Sequence, residues 1–102
     1  MATAAKNVQQ ARKPARKRVL MRATVFAPDG AFTVWIRDIS SGEAQVTSET
    51  RLPVGCDVIL KRGPLFAAAS IARSDADGAT VEFYRDLSAD EIESVLTPVV
   101  VR

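Results

Sequence analysis

Two short groups of polar residues have the chemistry needed to hold a nucleotide: the arginines Arg18 and Arg22, and the pair Asp38 and Ser40. An arginine side chain bridges O6 and N7 of guanine, pairs with phosphate and stacks on a base. An aspartate complements it by accepting hydrogen bonds from the N–H groups of guanine. In an extended chain, a spacing of four puts both arginines on one side, on the order of 13 Å apart. That separation suits a dinucleotide.

The residue types that most often carry catalysis are scarce in this sequence. Its 102 residues include no histidine, which removes the commonest general base and the commonest neutral metal ligand. Cys56 is the only cysteine, so an intramolecular disulfide and a cysteine zinc cluster are excluded. No nucleophile or pair of acids is spaced for chemistry. We therefore expect a binding protein rather than an enzyme, with no metal site and no cofactor.

The compartment is indicated by the apolar runs and the cysteine content. The first ten residues, MATAAKNVQQ, lack an apolar run after their positive charge and do not resemble a secretory signal. The longest mostly apolar stretch, Leu65 to Ala72, is far shorter than the ~20 residues that span a bilayer. A lone cysteine also fits a reducing compartment. The sequence therefore predicts a cytoplasmic protein without membrane insertion.

The body of the chain shows the alternation of short β-strands. From Arg22 onward apolar residues recur at every second position, as in Phe32, Val34 and Ile36, whose neighbours face the other way. Six such runs begin near residues 22, 31, 44, 57, 65 and 79, and turn residues separate them. This spacing predicts an all-β domain, a small six-stranded antiparallel barrel or a sandwich, and closure into a barrel removes exposed edges.

One C-terminal α-helix is predicted after the strands, over residues 88–96. Ser88 caps it, Glu91 completes a capping box, and Leu87 with Ile92 has the spacing of a hydrophobic staple. We expect the apolar face of this helix to close one end of the barrel. The alternative is an amphipathic helix that binds a partner.

Charge divides the chain into two parts. The net charge is +2, yet residues 1–22 hold seven of the fourteen cations and none of the twelve acids. Such a segment has little to bury and attracts anions. We predict a flexible basic arm over residues 1–15 and a folded domain over residues 16–102. Nucleic-acid binding by the arm is disfavoured, because the domain is acidic and has no obvious row of outward aromatic residues.

The order of these features resembles the PilZ domain, the bacterial receptor domain for cyclic-di-GMP. In that family an RxxxR motif is followed some twenty residues later by D/N-x-S-x-x-G, and a helix follows the barrel. Residues 18–22, RVLMR, match the first motif in full, and residues 38–40, DIS, match the start of the second. The resemblance covers residues 16–96. It implies a six-stranded barrel with a C-terminal helix, and cyclic-di-GMP as the ligand.

The resemblance also assigns roles to individual residues. Arg18 and Arg22 would hold the phosphates and guanine edges of an intercalated cyclic-di-GMP dimer, and Asp38 and Ser40 would contact a guanine from the barrel face. The remaining candidates are Arg16 and Lys17, which would add a nonspecific phosphate field, and Gly42 and Glu43, which follow Ser40 in the second motif. Without the resemblance, a charged strand start and an Asx-type turn also explain the two motifs.

The second motif is incomplete, because Glu43 occupies the position of its glycine. Glycine there would let the ligand approach the backbone. A carboxylate about 5–6 Å from a dianionic ligand, at an effective dielectric constant near 20, costs roughly 3 kcal/mol, or about two decades in affinity. Three outcomes are open. Glu43 points outward and reaches back to Arg18 or Arg22, Gly42 supplies the close approach, or the site has lost the nucleotide.

Two functions follow from these observations. In the first, binding of cyclic-di-GMP orders the N-terminal arginine arm, and a downstream partner protein of unknown identity reads the change. In the second, the domain is a degenerate PilZ domain that does not bind cyclic-di-GMP and acts as a protein-interaction adaptor. Trp35 and Tyr84, both predicted on outward faces, are its candidate contacts, unless they pack against the arm or another strand.

Overall fold

Six β-strands and one α-helix make up most of the chain that the computed structural model describes, residues 17–96, with Lys17 described by its backbone alone. The elements are β1 (Lys17–Ala27), β2 (Gly30–Ile39), β3 (Glu43–Ser48), β4 (Asp57–Arg62), β5 (Leu65–Asp75), β6 (Gly78–Phe83) and α1 (Ala89–Leu96). The predicted arm, residues 1–15, and Arg16 lie outside the described residues.

The strands close into one antiparallel barrel in the order β1-β2-β3-β6-β5-β4. Each strand has a hydrogen-bonded neighbour on both sides, so closure leaves no strand unpaired at an edge. The predicted fold class, a six-stranded antiparallel barrel with one C-terminal helix, is confirmed. Within residues 17–96, no helix combines the length and the apolar composition needed to cross a membrane.

The inside of the barrel is filled by one side of each strand. Val25, Val34, Ile36, Leu60 and Val81 have no exposed surface, as the alternation of apolar residues predicts. Burying a valine, leucine or isoleucine side chain contributes about 1.5–3 kcal/mol relative to leaving it exposed. Most of the residues between them are at least partly exposed, so the outer wall is where the chain presents polar groups.

The β5–β6 hairpin ends in a turn that requires glycine. Asp75 Oδ1 accepts hydrogen bonds from the backbone N–H groups of Asp77 at 2.9 Å and Gly78 at 3.1 Å. Gly78 has a φ of 151°, and a Cβ at this position would clash with the carbonyl oxygen of Val46 in β3. Glycine therefore allows the hairpin to pack directly against β3.

The predicted capping box forms at the start of α1. Ser88 Oγ accepts the Glu91 N–H at 3.1 Å, and Glu91 Oε1 accepts the Ser88 N–H at 2.8 Å. Arg85 donates to both carboxylate oxygens of Glu91, at 3.2 and 3.0 Å. The Arg85 guanidinium, followed by the Ser88 N–H, lowers the pKa of Glu91 to about 2.

The apolar face of α1 packs against the core of the barrel. Val95 is fully buried, and Leu87 is buried just before the helix. Arg62, at the end of β4, donates from Nε to the Val95 carbonyl at 3.0 Å and from Nη1 to the Arg22 carbonyl at 2.7 Å. A single guanidinium therefore joins the last turn of α1 to β1.

The first strand begins at Lys17, five residues before the start that the sequence predicts at Arg22. Val19 and Met21 are partly buried, so the inward side of the strand continues through the basic segment. Arg18 therefore lies inside β1 rather than before it. The cations concealed this part of the strand from a reading of the sequence, because only Val19 and Met21 show its inward side and Leu20 between them is exposed.

Candidate functional site

The two predicted motifs meet on the outer wall of the barrel. In the pairing of β1 with β2, Arg18 lies directly opposite Asp38, and Arg22 lies directly opposite Trp35. Side chains in such positions have Cβ atoms about 4.5–5.5 Å apart. Both arginines are exposed and Asp38 is half-buried. The structure thus brings an arginine and an aspartate from separate motifs to neighbouring positions.

A β-bulge in β2 turns Asp38 outward. Between Ile36 and Asp38, β2 advances by two residues while β3 advances by one, from Val46 to Gln45. Without the extra residue, the alternation that buries Ile36 would point Asp38 into the core and Ile39 into solvent. With it, Ile39 is fully buried and Asp38 faces outward. The position of Asp38 therefore depends on this irregularity.

Asp38 belongs to a polar row that crosses five strands of the outer wall. The row consists of directly paired residues: Arg18, Asp38, Gln45, Thr80 and Arg73. Within it, the Thr80 hydroxyl donates to Gln45 Oε1 at 2.9 Å, which fixes the amide of Gln45. The sequence motifs contain neither Gln45 nor Thr80 nor Arg73, and only the strand register shows that they lie in one row with Arg18 and Asp38.

The turn between β2 and β3 uses the backbone and side chain of Ser40. This serine is 3% exposed, and its N–H and hydroxyl both donate to the Glu43 carbonyl, at 2.9 and 3.3 Å. The hydroxyl proton of Ser40 is therefore used within the turn, and only the lone pairs of the hydroxyl oxygen are left to accept a hydrogen bond from a ligand. A Cβ on Gly42 would meet no atom within 4 Å, so the space beside this glycine is open.

Glu43 is the first residue of β3 and lies half-buried on the outer wall. Gln45 Nε2 donates to its carboxylate at 3.4 Å. Across the β3–β6 pair, Glu43 lies directly opposite Glu82. The two carboxylates concentrate negative charge at this end of the candidate site, and like charges in opposite positions repel each other. Glu43 points outward, as it must if its carboxylate is to reach back to Arg18 or Arg22. The space beside Gly42 is open, as it must be if Gly42 is to allow the close approach of a ligand.

Comparison with known proteins bears on the fold. No family model matches the sequence, and no curated protein matches it. The Borreliella burgdorferi protein PlzA, solved in complex with c-di-GMP, is similar with a TM-score of 0.65 at 16% identity, over 93% of this chain and 43% of that one. The PilZ domain of CeSA from a cellulose-synthesizing bacterium has a TM-score of 0.61 at 21% identity, over 80% and 91% of the two chains. This chain has a PilZ-like fold.

The two similar structures differ in how much of their own length is matched. The chain spans less than half the length of the PlzA chain, and its match covers most of the CeSA PilZ domain. The PilZ-like barrel expected from the RxxxR and DxS motifs is thereby confirmed as a fold.

An open groove of about 300 Å³ includes part of the polar row of the PilZ-like barrel and is lined by two arginines, Arg37 and Arg73. Arg37 is the residue that the β2 bulge adds, and Arg73 follows a second bulge, in β5, after Ile71. Gln45 and Asp75 also line the groove. Bulges redirect side chains, and both of these bring a guanidinium to one groove. Arg37 was detectable as a neighbour of the DxS motif, whereas nothing in the sequence distinguishes Arg73.

Trp35 is 43% exposed on the outer wall, between Arg22 on β1 and Thr47 on β3. Its predicted outward direction is confirmed. An exposed indole beside an arginine is a surface on which a planar base stacks. Tyr84 is exposed as predicted, but its hydroxyl donates to Asp57 on β4, a strand that the polar row does not reach.

The remaining predicted site residues are at the edge of the described chain. Lys17 pairs with Ile39 through the backbone at the start of β1, and Arg16 lies outside the described residues. The six candidates with described side chains occupy β1, the end of β2, the turn after it and the start of β3: Arg18, Arg22, Asp38, Ser40, Gly42 and Glu43. Four of the six lie on the outer wall, whereas Ser40 is buried in the turn between β2 and β3 and Gly42 belongs to the same turn.

Proposed function

We propose that this protein is a cyclic-di-GMP receptor and not an enzyme. The observation that carries the proposal is the direct pairing of Arg18 with Asp38 on the outer wall, which the β2 bulge makes possible. A donor of two parallel hydrogen bonds beside an acceptor of two is the combination that recognises guanine. The PilZ-like fold supports the same ligand, since one of its structural neighbours was solved with c-di-GMP.

In this proposal each part of the wall has its own task. Arg18 and Arg22 hold phosphates and the O6 and N7 edge of guanine, and Asp38 accepts from the guanine N–H groups. The lone pairs of Ser40 and the open space at Gly42 receive the base from the barrel side. Arg16 and Lys17 add positive charge, which raises the rate of encounter with an anionic ligand.

We further propose that the bound nucleotide fixes residues 1–15 against the barrel, and that a downstream protein in the cytoplasm reads this change. The motivation is the concentration of seven cations in residues 1–22, next to a body with more acids than bases. A segment ordered by a dianion is a common form of switch. Amide chemical shifts of residues 12–22 that do not change on adding cyclic-di-GMP would contradict the coupling.

The first experiment is calorimetric titration of cyclic-di-GMP into the purified protein at near-physiological salt. We expect Arg18→Ala to weaken binding by about 10- to 100-fold, because each hydrogen bond to a charged group contributes about 1.5–3 kcal/mol. Arg51→Ala is the matched control, since Arg51 is an exposed arginine beyond the opposite end of β3. Cyclic-di-AMP tests base recognition. Equal binding by the wild type and Arg18→Ala would rule out the proposed site.

The alternative is a degenerate PilZ domain that acts as a protein-interaction adaptor. The observation in its favour is Glu43 at the motif glycine, directly opposite Glu82. If the wild type does not bind and Glu43→Gly does, the adaptor function is supported. Glu43→Gln separates charge from bulk, because it keeps the shape of the side chain and removes only its charge. If the wild type binds cyclic-di-GMP and Glu43→Gln binds it equally well, the adaptor function is ruled out.

A further inference from the structure

Much of the apolar surface exposed on this barrel is concentrated around one strand. Among residues 17–96, seven large hydrophobic side chains are exposed, and four of them come from β4 or lie beside it. These four are Phe26, Ile59, Phe66 and Tyr84, and we call them the β4 face. Large exposed apolar patches on soluble domains are typical of interaction surfaces.

The strand register shows that the β4 face is continuous. Phe26 of β1 lies directly opposite Ile59, and Ile59 lies directly opposite Ala68 of β5. Phe66 is two residues before Ala68 and so points to the same side, and the Tyr84 N–H donates to the Ala68 carbonyl at 3.0 Å. Because neighbouring strands are about 4.8 Å apart, Phe26, Ile59 and Phe66 adjoin one another across β1, β4 and β5, and Tyr84, the residue after β6, lies beside β5.

Charges of opposite sign border this apolar surface at its two ends. Asp57, Ile59 and Lys61 occupy alternate positions of β4 and share its outer side. Lys61 Nζ lies 5.1 Å from the centre of the Phe66 ring, and Asp57 accepts a hydrogen bond from the Tyr84 hydroxyl. Both charges are therefore anchored to aromatic residues of the β4 face, with the acid at one end and the base at the other.

We propose that the β4 face is the interface of a homodimer. A second copy, related by a two-fold axis that runs across the strands at Ile59, places Ile59 on the partner's Ile59. The same rotation reverses the direction of β4, so Asp57 meets the partner's Lys61, and this pair forms twice. An axis parallel to β4 would instead set each charge against its equivalent. The charge pattern therefore complements itself in one orientation only.

The geometry fits the ordinary packing of two sheets. Sheets pack face to face at about 10 Å with their strands nearly aligned, and a two-fold interface uses the same patch on both copies. A face three strands wide and five residues long covers roughly 250 Å² of sheet, against about 800 Å² per partner in a standard interface. We therefore expect a weak dimer whose population rises with concentration. It does not depend on nucleotide binding.

The first test is sedimentation equilibrium from about 10 µM to about 1 mM, the range of a weak complex. We expect a monomer–dimer equilibrium in the wild type, and a dissociation constant at least about tenfold higher in Ile59→Glu. Val54→Glu is the matched control, because Val54 is 60% exposed but lies outside the β4 face. A wild type that stays monomeric throughout, or a dimer that Ile59→Glu leaves intact, would overturn the proposal.

The second test exchanges the charges and does not alter the core. Asp57→Lys alone and Lys61→Asp alone each set two pairs of like charges against each other, so each variant is expected to dimerise less than the wild type. An equimolar mixture of the two variants restores both attractive pairs and is expected to form heterodimers with nearly wild-type affinity. Thermal unfolding verifies that each variant is folded. If the mixture associates no better than either variant alone, the two-fold arrangement is wrong.

Discussion

The wall formed by β1, β2 and β3 and the wall centred on β4 differ in their register. Bulges interrupt both the β1–β2 and the β2–β3 pairing, whereas β4 pairs with β1 and β5 without a shift. In the irregular wall, Arg37 and Asp38 follow each other in sequence and both avoid the core. In the regular wall every second residue faces outward. Bulges therefore allow polar groups to be concentrated, which strict alternation does not.

The largest expected effect is a difference in stability between alanine substitutions of two isoleucines, one facing the core and one facing solvent. Ile39 is fully buried because of the β2 bulge, and Ile59 is 38% exposed on regular β4. Ile39→Ala is expected to lower the free energy of unfolding by about 2–5 kcal/mol, through lost burial and a cavity. Ile59→Ala at monomeric concentration is expected to change it by less than about 1 kcal/mol. Urea denaturation measures both, and equal losses would contradict the inward orientation of Ile39.

The next largest effect is a loss of stability at the β5–β6 hairpin, which includes Arg73 of the polar row. Gly78→Ala is expected to destabilise the protein by about 1–3 kcal/mol, because φ is positive and the Val46 carbonyl occupies the position of a Cβ. Gly42→Ala is the control, since open space surrounds that glycine. Thermal unfolding compares the two variants. A Gly78→Ala protein as stable as Gly42→Ala would mean that the hairpin does not press against β3.

A pair of aromatic substitutions separates the functions proposed for the two walls. Trp35→Leu is expected to weaken cyclic-di-GMP binding by about tenfold, since base–aromatic stacking contributes about 1–3 kcal/mol, and to leave dimerisation unchanged. Phe66→Leu is expected to weaken dimerisation and leave nucleotide binding unchanged. Trp35 is the only tryptophan, so its fluorescence reports directly on the site. The separation fails if each variant affects both measurements equally.

The smallest expected effect is a pH dependence of the stability, caused by Glu91 in α1, which lies outside both walls. The folded pKa of Glu91, about 2, lies below its ordinary value of 4.5, so the folded state binds this proton less readily than the unfolded state does. The stabilisation by Glu91 is therefore complete above about pH 5 and is lost as the pH falls through about 2. Denaturation between these values is expected to show a smaller loss of stability in Glu91→Gln than in the wild type. Glu49→Gln, which removes an exposed carboxylate outside α1, is expected to behave as the wild type.

The regular parts of this molecule could be predicted from the sequence. Alternation identified the inward side of β2 as far as Ile36, and the capping box identified Ser88 as the residue that caps α1, which begins at Ala89. These signals are local, because they depend on residues two to four positions apart. The same alternation would have been enough to identify the outward stripe of β4, from Asp57 to Lys61.

The irregular parts required the structure. Continued alternation would bury Asp38, and burying a carboxylate without a partner costs a large amount of free energy, which the bulge avoids. In the sequence, the irregularity is visible only as the spacing of three between the inward residues Ile36 and Ile39, where a regular strand has a spacing of two. The alignment of Gln45, Thr80 and Arg73 depends on pairing between distant strands, which no local pattern reports. The motifs predicted the candidate site residues, and the strand register adds Gln45, Thr80 and Arg73 as their neighbours on the outer wall.

The Arg62 side chain has a mechanical consequence for the whole barrel. Its guanidinium donates both to the carbonyl of Arg22, on the proposed nucleotide strand, and to the carbonyl of Val95, in the last turn of α1. A displacement of the Arg22 backbone must stretch one of these two bonds unless the end of the helix moves with it. Arg62 therefore couples the backbone of β1 mechanically to the last turn of α1, through the hydrogen bonds of one side chain.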